Sequence, residues 1–164
     1  DLFGVSDQAE LDALLNWSRG YEISEEDGTI VGTREWILGD MLHSRPLTVN
    51  YGGLGVFDPN EPDQRIVVGT NSGFLHMFGN EDGQEDWAFF PKELAPVLAR
   101  RAANATSPDN AYAVDASPVL YRSDLNLDGT IDVAVGDKAY LYFGLRRGGR
   151  MLYALDISDR KSVV

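Results

Sequence analysis

Short runs of alternating apolar and polar residues, separated by glycine turns, fill the middle of the chain. Residues 65–69, 74–78 and 84–89 predict three strands, because β-branched and aromatic side chains are concentrated there and tight turns join them. A further strand over 47–51 follows Pro46, and proline is tolerated where a strand opens. The four strands predict an antiparallel meander, the unit that a β-propeller repeats as a blade.

The same pattern recurs roughly 70 residues later, beyond the 40–50 residues of simple propeller repeats. Strands are predicted over 115–121, 131–136 and 150–157, and Pro118 lies at the opening of the first of them. The extra length implies insertions between the repeats. Two blades alone would leave open strand edges.

Two helices are predicted outside the strands. Leucines and alanines at helical spacing indicate an amphipathic helix over about 7–17, with Ser6 as its N-cap and Gly20 as its stop. A second helix is predicted over 91–103, where Pro96 would break or restart it.

The predicted fold class is therefore mainly β: about two blades of a β-propeller, with one short N-terminal helix and one inserted helix. Residues 21–35 and 104–113 are expected to be loops because they are polar and rich in turn residues. The expected organisation is a lead-in segment over 1–45 and a partial propeller over 46–164, made of blade one (about 46–90), the helical insertion (91–103) and blade two (about 114–159).

Composition narrows the possible functions. A net charge of −12 argues against nucleic acid as a partner, because phosphate binding needs clustered Lys and Arg. The chain has no cysteine, and its two histidines, His43 and His76, are far apart in sequence, so disulfides and a zinc site are not predicted. No apolar run approaches the roughly 18 residues that span a membrane. Because the chain opens on Asp1, we expect a processed piece of a longer protein.

The most informative stretch is residues 124–132, which we call the acidic loop. Oxygen-bearing side chains occupy its positions 1, 3, 5 and 9, and Gly129 is sixth, as at the start of an EF-hand-type calcium loop. The EF-hand's Glu at position 12 is replaced by Val135, and the flanks read as strands rather than helices. The candidate calcium ligands are Asp124, Asn126, Asp128, Asp132 and the main-chain carbonyl of Thr130.

An alternative remains open for this loop: Asp, Asn and Gly form turns unaided, so the pattern also fits a turn that holds no metal. Calcium is the more favoured interpretation, since several carboxylates on one turn would repel one another without a cation. Magnesium suits the loop less well, because it keeps a small octahedral shell with several waters.

Five segments, in order, resemble the C-terminal β-propeller of type IV pilus tip adhesins of the PilC/PilY group, and the acidic loop resembles the calcium loops of FG-GAP-type propellers. The match extends over about 36–159. The segments are residues 38–46, 67–78, 87–91, 114–118 and 143–157.

The resemblance implies a quinoprotein-like propeller at the pilus tip, extracellular and exported through the periplasm. It implies a non-enzymatic, calcium-binding module that supports pilus assembly, surface attachment and twitching motility. The implied partners are pilin or minor pilins and a host or abiotic surface, with neither nucleic acid nor a membrane span. The Arg-Gly-Asp motif of some members is absent, and residues 147–149 do not replace it, so an integrin role is not predicted.

Two other functions remain possible from the sequence: an FG-GAP-type interaction propeller unrelated to pili, and a fragment of a quinone-dependent dehydrogenase. The dehydrogenase would need a closed ring and a carboxylate base, and no base is evident. The basic cluster Arg146, Arg147 and Arg150 would either pair with neighbouring acids or contact a pilin or a glycan. Trp17, Trp36 and Trp87 are expected to pack in the core or between blades.

Overall fold

The chain forms three antiparallel sheets and two α-helices in the residues that the computed structural model describes, 2–103 and 112–160. The sheets have the strand orders β1-β2, β3-β4-β5-β6 and β7-β8-β9. The mainly β fold class, with an N-terminal helix and an inserted helix, is confirmed. The elements are α1 (Gln8–Ser18), β1 (Tyr21–Ile23), β2 (Ile30–Thr33), β3 (Leu47–Gly52), β4 (Asp63–Gly69), β5 (Leu75–Gly79), β6 (Glu85–Phe89), α2 (Ala95–Ala102), β7 (Val119–Ser123), β8 (Lys138–Gly144) and β9 (Leu152–Asp156).

The first meander, β3 to β6, has the strand order predicted from its glycine turns. Leu47, Val67, Met77 and Trp87 face one another across the four strands and pack in or against the core. Because side chains alternate between the two faces of a strand, this row fixes which face of the sheet is buried.

The second sheet, β7 to β9, corrects one predicted strand. Residues 131–136 are not extended: Val133–Val135 form a 3-10 helix, and the central strand β8 begins at Lys138. The Asp132 side chain accepts a hydrogen bond from the Ala134 N–H, which favours a turn over a strand at this point. β8 then pairs with both neighbours, and Leu141 lies between Leu120 and Leu155.

The two larger sheets share one core. Phe143 of the second sheet stacks on Tyr153 at 5.0 Å, and Phe89 of the first sheet meets both rings edge-on, at 6.0 and 5.7 Å. Tyr51, which is 2% exposed, donates from its hydroxyl to the main-chain oxygen of Ile157 at 2.7 Å. Packing and a buried hydrogen bond therefore join the two repeats.

The N-terminal region differs from its prediction in two ways. Asp7, rather than Ser6, caps α1, because its carboxylate accepts from the Glu10 N–H at 2.9 Å. Residues 21–35 are not a loop throughout: β1 and β2 form a hairpin. Its turn is closed by the Gly28 N–H, which donates to the Ser24 carbonyl at 3.0 Å.

The inserted helix starts in two stages, as the position of Pro96 in the sequence predicted. Lys92–Leu94 form a 3-10 turn, and α2 follows with Pro96 in its first turn, where the missing N–H has no intrahelical role. Most of the loop predicted over 104–113 lies outside the described residues. Across the described residues, neither α-helix has the length and apolar character that crossing a bilayer requires.

The prediction that all three tryptophans are packed is wrong for Trp36, which is 84% exposed. Residues 34–46 form no strand, so their side chains do not alternate toward a core. Trp17 and Trp87 are partly buried, and Trp87 packs against the core. The proposed division at residues 45 and 46 stays a prediction.

Replacing Tyr51 by Phe tests the hydrogen bond between the repeats. Losing the hydroxyl leaves the buried Ile157 carbonyl without this donor, so we expect the free energy of unfolding to fall by about 1–2 kcal/mol in urea titrations. Tyr121→Phe is the control, because Tyr121 is 56% exposed. Equal effects of the two substitutions would contradict the importance of this hydrogen bond.

Candidate functional site

The acidic loop follows the end of β7 and leads through the 3-10 helix to β8. It therefore lies between two strands, as predicted, and not between two helices. Its position at one end of the second sheet brings it beside the end of β3 in the first sheet.

Side chains of the predicted ligands hold the loop by accepting hydrogen bonds from its own backbone. Asp124 Oδ2 accepts from the Gly129 N–H, and Asp128 Oδ1 accepts from the Thr130 N–H, both at 2.8 Å. The Asn126 side chain donates to Asp128 Oδ2 at 2.8 Å. Asp132 instead caps the 3-10 helix that follows. The structure thus groups Asp124, Asn126 and Asp128 around one tight turn.

Two residues of this turn adopt left-handed backbone angles. Gly129 has φ +83°, which accounts for the glycine that the calcium-loop pattern requires. Leu127 has φ +60° although it is not glycine, and such a residue carries a conformational cost of about 1–2 kcal/mol. Its side chain is 86% exposed, so no burial offsets that cost. Strain of this kind concentrates at functional sites.

Asp137 is the residue of this site that sequence reasoning missed. It is 0% exposed. One of its carboxylate oxygens accepts from the Leu125 N–H at 2.8 Å, and the other accepts from the Asp132 N–H at 3.0 Å. It therefore ties together the two ends of the acidic loop. The sequence feature that could have indicated it is its position directly after Gly136. This glycine ends the 3-10 helix with a left-handed backbone conformation.

The acidic loop is also fastened to the first sheet. The Ile131 N–H donates to the main-chain oxygen of Tyr51 at 2.8 Å. Gly52, at φ +82°, lies so close that a Cβ there would stand 2.6 Å from both the Gly129 oxygen and the Thr130 Cα. Only glycine permits this approach. The loop and the junction between the sheets are consequently one structural unit.

The charge in this region is mostly negative. Asp124, Asp128, Asp132 and Asp137 lie within 14 residues of one another, and Arg122 donates to the Gly129 carbonyl at 3.0 Å. Asp124 Oδ1 is buried and has no hydrogen-bond partner among residues 2–103 and 112–160. A buried carboxylate oxygen without a partner is unfavourable, and a cation would satisfy it. In the described part of the chain, no three His, Asp or Glu side chains are already grouped to hold a metal.

The two histidines occupy separate hydrogen-bonded positions. His43 Nδ1 lies 2.7 Å from Asp115 Oδ1, and Arg146 Nη1 lies 3.3 Å from the other oxygen of this buried carboxylate. His76 Nδ1 lies 2.5 Å from Glu85 Oε1. Arg146 thus follows the interpretation in which the basic cluster pairs with nearby acids. Arg147 contacts Tyr112, with its guanidinium 5.0 Å from the ring centre.

Comparison with curated proteins gives related sequences of one kind. A type IV pilus biogenesis factor PilY1 homolog of Xylella fastidiosa strain Temecula1 is 27% identical over 91% of this chain and 13% of its own length. The type IV pilus biogenesis factor PilY1 of Pseudomonas aeruginosa strain UCBPP-PA14 is 33% identical over 79% of this chain and 12% of its own length. The PilY1 of strain PAK is 31% identical over 85% and 13%.

No protein-family model matches the chain, and no solved structure matches it either. The fold and the site define a class: a mainly β segment of two antiparallel meanders, with an acidic loop at their junction. The chain belongs with the PilY1-like proteins, as the resemblance of its five segments predicted. It spans about an eighth of the length of the relatives it matches.

Replacing Asp137 by Ala tests its role in the loop. Two backbone N–H groups lose their acceptor, so we expect a loss of about 2–3 kcal/mol in unfolding free energy. Amide hydrogen exchange at Leu125 and Asp132 should accelerate together. Asp82→Ala is the matched control, because its carboxylate accepts from the Gln84 N–H in an exposed turn. Unchanged exchange at both amides would contradict the assignment.

Proposed function

We propose that this chain is a calcium-binding, non-enzymatic module of a type IV pilus biogenesis factor. Its parent protein supports pilus assembly, surface attachment and twitching motility from an extracellular position at the pilus tip. Its partners are pilin or minor pilins and the surface to which the cell attaches. The curated relatives are named type IV pilus biogenesis factors, which supports the pilus role, and the acidic loop supports the calcium role.

The observation that carries the calcium proposal is Oδ1 of Asp124, which lies in a loop of acceptor groups and has no hydrogen-bond partner in the described part of the chain. Carboxylate, amide and carbonyl oxygens are the ligands that calcium prefers. The ligands would be Asp124, Asn126, Asp128, Asp132 and the Thr130 carbonyl. Bound calcium supplies positive charge that neutralises the carboxylates. Because Val135 offers no side-chain ligand, we expect an affinity in the range of extracellular modules, roughly 10⁻⁴–10⁻³ M.

Calcium in this loop would act on the junction between the sheets. A ligand that binds only the folded state stabilises it by mass action. The loop contacts β3 through Ile131 and Gly52, so ordering the loop also holds the first sheet against the second. In this proposal the ion has a structural role, and it makes the rigidity of the module depend on ambient calcium.

Thermal unfolding with and without calcium tests the proposal. At a calcium concentration tenfold above its dissociation constant, we expect stabilisation by about 1.4 kcal/mol and a rise in Tm of roughly 3–6 °C. Asp124→Ala and Asp132→Ala should abolish the rise, because each removes a ligand.

The matched control is Asp27→Ala. Asp27 accepts from the Thr29 N–H in the β1–β2 hairpin, so this variant loses the same charge and the same kind of turn contact elsewhere. It should keep the full calcium-dependent rise. The calcium proposal is wrong if the wild-type chain melts at the same temperature in calcium and in chelator.

The pilus role is tested in the full-length parent protein. Cells carrying Asp124→Ala should produce fewer surface pili and smaller twitching zones than cells carrying Asp27→Ala, because their pilus factor is less rigid. Immunoblots would check that the two variants are present at equal levels. Normal piliation and twitching in Asp124→Ala cells would separate calcium binding from pilus biogenesis.

A further inference from the structure

A cavity of about 960 Å³ lies on the outer face of the first meander. His76, Phe78 and Ala88 line it, and they alternate along β5 and β6 with residues that face the core. Other lining residues come from the end of α1, including Trp17, and from the segment after β2, namely Arg34 and residues 36–40. The cavity is thus separate from the acidic loop.

A row of aromatic rings forms one side of this cavity. The centre of the Phe74 ring lies 5.0 Å from that of Phe90 and 5.7 Å from that of His76. His76 in turn stacks on Phe78 at 5.6 Å. Trp36 lines the cavity as well and is 84% exposed. Such a surface suits a flat apolar body.

The acids that line the cavity already have partners. Glu85 lies 2.5 Å from His76 Nδ1. Asp40 accepts from the Asn71 side chain at 2.8 Å, and its other oxygen faces Arg101 at 3.9 Å. Each of these two carboxylates therefore has a hydrogen-bond or ion-pair partner in the cavity wall.

Arg34 supplies a positive charge to the lining of the cavity. Its guanidinium lies 4.0 Å from the centre of the Trp17 ring, and Nη2 donates to the Trp17 carbonyl at 3.1 Å. Its Nε is buried and has no hydrogen-bond acceptor among the described residues. Arg34 also lines the cavity, and an anionic oxygen is the acceptor that a guanidinium binds best. Arg19 adds a second positive charge to the lining.

We propose that this cavity binds an amphipathic organic anion. Its flat apolar body would lie against the aromatic row and Trp36, and its carboxylate or sulfonate would accept from the Arg34 guanidinium. The same chemistry occurs in a free aromatic acid and in a peptide that ends in an aromatic residue with a free carboxylate.

Two fluorescent probes separate the charge from the apolar body. 8-Anilinonaphthalene-1-sulfonate carries the sulfonate, and N-phenyl-1-naphthylamine has the same ring system without it. For the folded 164-residue chain, we expect Arg34→Gln to weaken binding of the sulfonate about tenfold and of the neutral probe less than about twofold. Trp36→Ala should weaken both. Arg150→Gln, an exposed arginine outside the cavity, is the matched control and should change neither.

If Arg34→Gln does not fold, the salt dependence of probe binding to the wild-type chain tests the same contact. Added salt should weaken binding of the sulfonate and leave the neutral probe unchanged, because salt screens only the charged contact. The proposal is overturned if neither probe binds, or if the two probes respond alike to Arg34→Gln and to salt.

Displacement of the bound sulfonate then distinguishes the two sources. 3-Phenylpropionate represents the free acid, and acetyl-Ala-Ala-Phe with a free carboxylate represents the peptide. Displacement by either one supports the site and assigns its source, provided that the amide of the same compound displaces at least about tenfold less well. Failure of both acids, or equal displacement by acid and amide, overturns it.

Discussion

The attachment of Tyr51 to the second half of the chain is the contact on which the arrangement of the two repeats depends. Its main-chain oxygen accepts from Ile131, at the end of the acidic loop, and its hydroxyl donates to Ile157, just after β9. Burial raises the pKa of this hydroxyl above its ordinary value, so it stays a neutral donor. One residue of β3 thus holds both the loop and the last strand.

Three features of the acidic loop are energetically unfavourable, and the attachment to Tyr51 does not remove them. Leu127 adopts a left-handed conformation, several carboxylates crowd one turn, and Asp124 Oδ1 has no partner among the residues that the structure describes. The buried carboxylate of Asp137 counters part of this by accepting from both ends of the loop. The remaining negative charge is the physical reason to propose a calcium ion here. The same reasoning places its effect at the junction between the sheets.

Local patterns in the sequence predicted most of the fold and the position of the acidic loop in it. Alternating apolar residues and glycine turns were sufficient for the first meander, and the oxygen spacing located the acidic loop between strands. The pattern misled at residues 131–136, because β-branched residues there suggested a strand while Asp132 caps a 3-10 turn. Gly52 was missed because its role depends on contact with residues 129 and 130, which are distant along the chain. Asp137 was missed because it lies beyond the spacing of the calcium-loop pattern, although its carboxylate reaches back to Leu125 and Asp132.

The most direct test of the coupling between loop and junction is hydrogen exchange at the Ile131 amide, which donates to Tyr51 across the sheets. We expect calcium to slow this exchange in the wild-type chain, because an ordered loop holds the amide against β3. The Asp124→Ala variant should show no slowing. Identical exchange at Ile131 in calcium and in chelator, in a chain that binds calcium, would contradict the coupling.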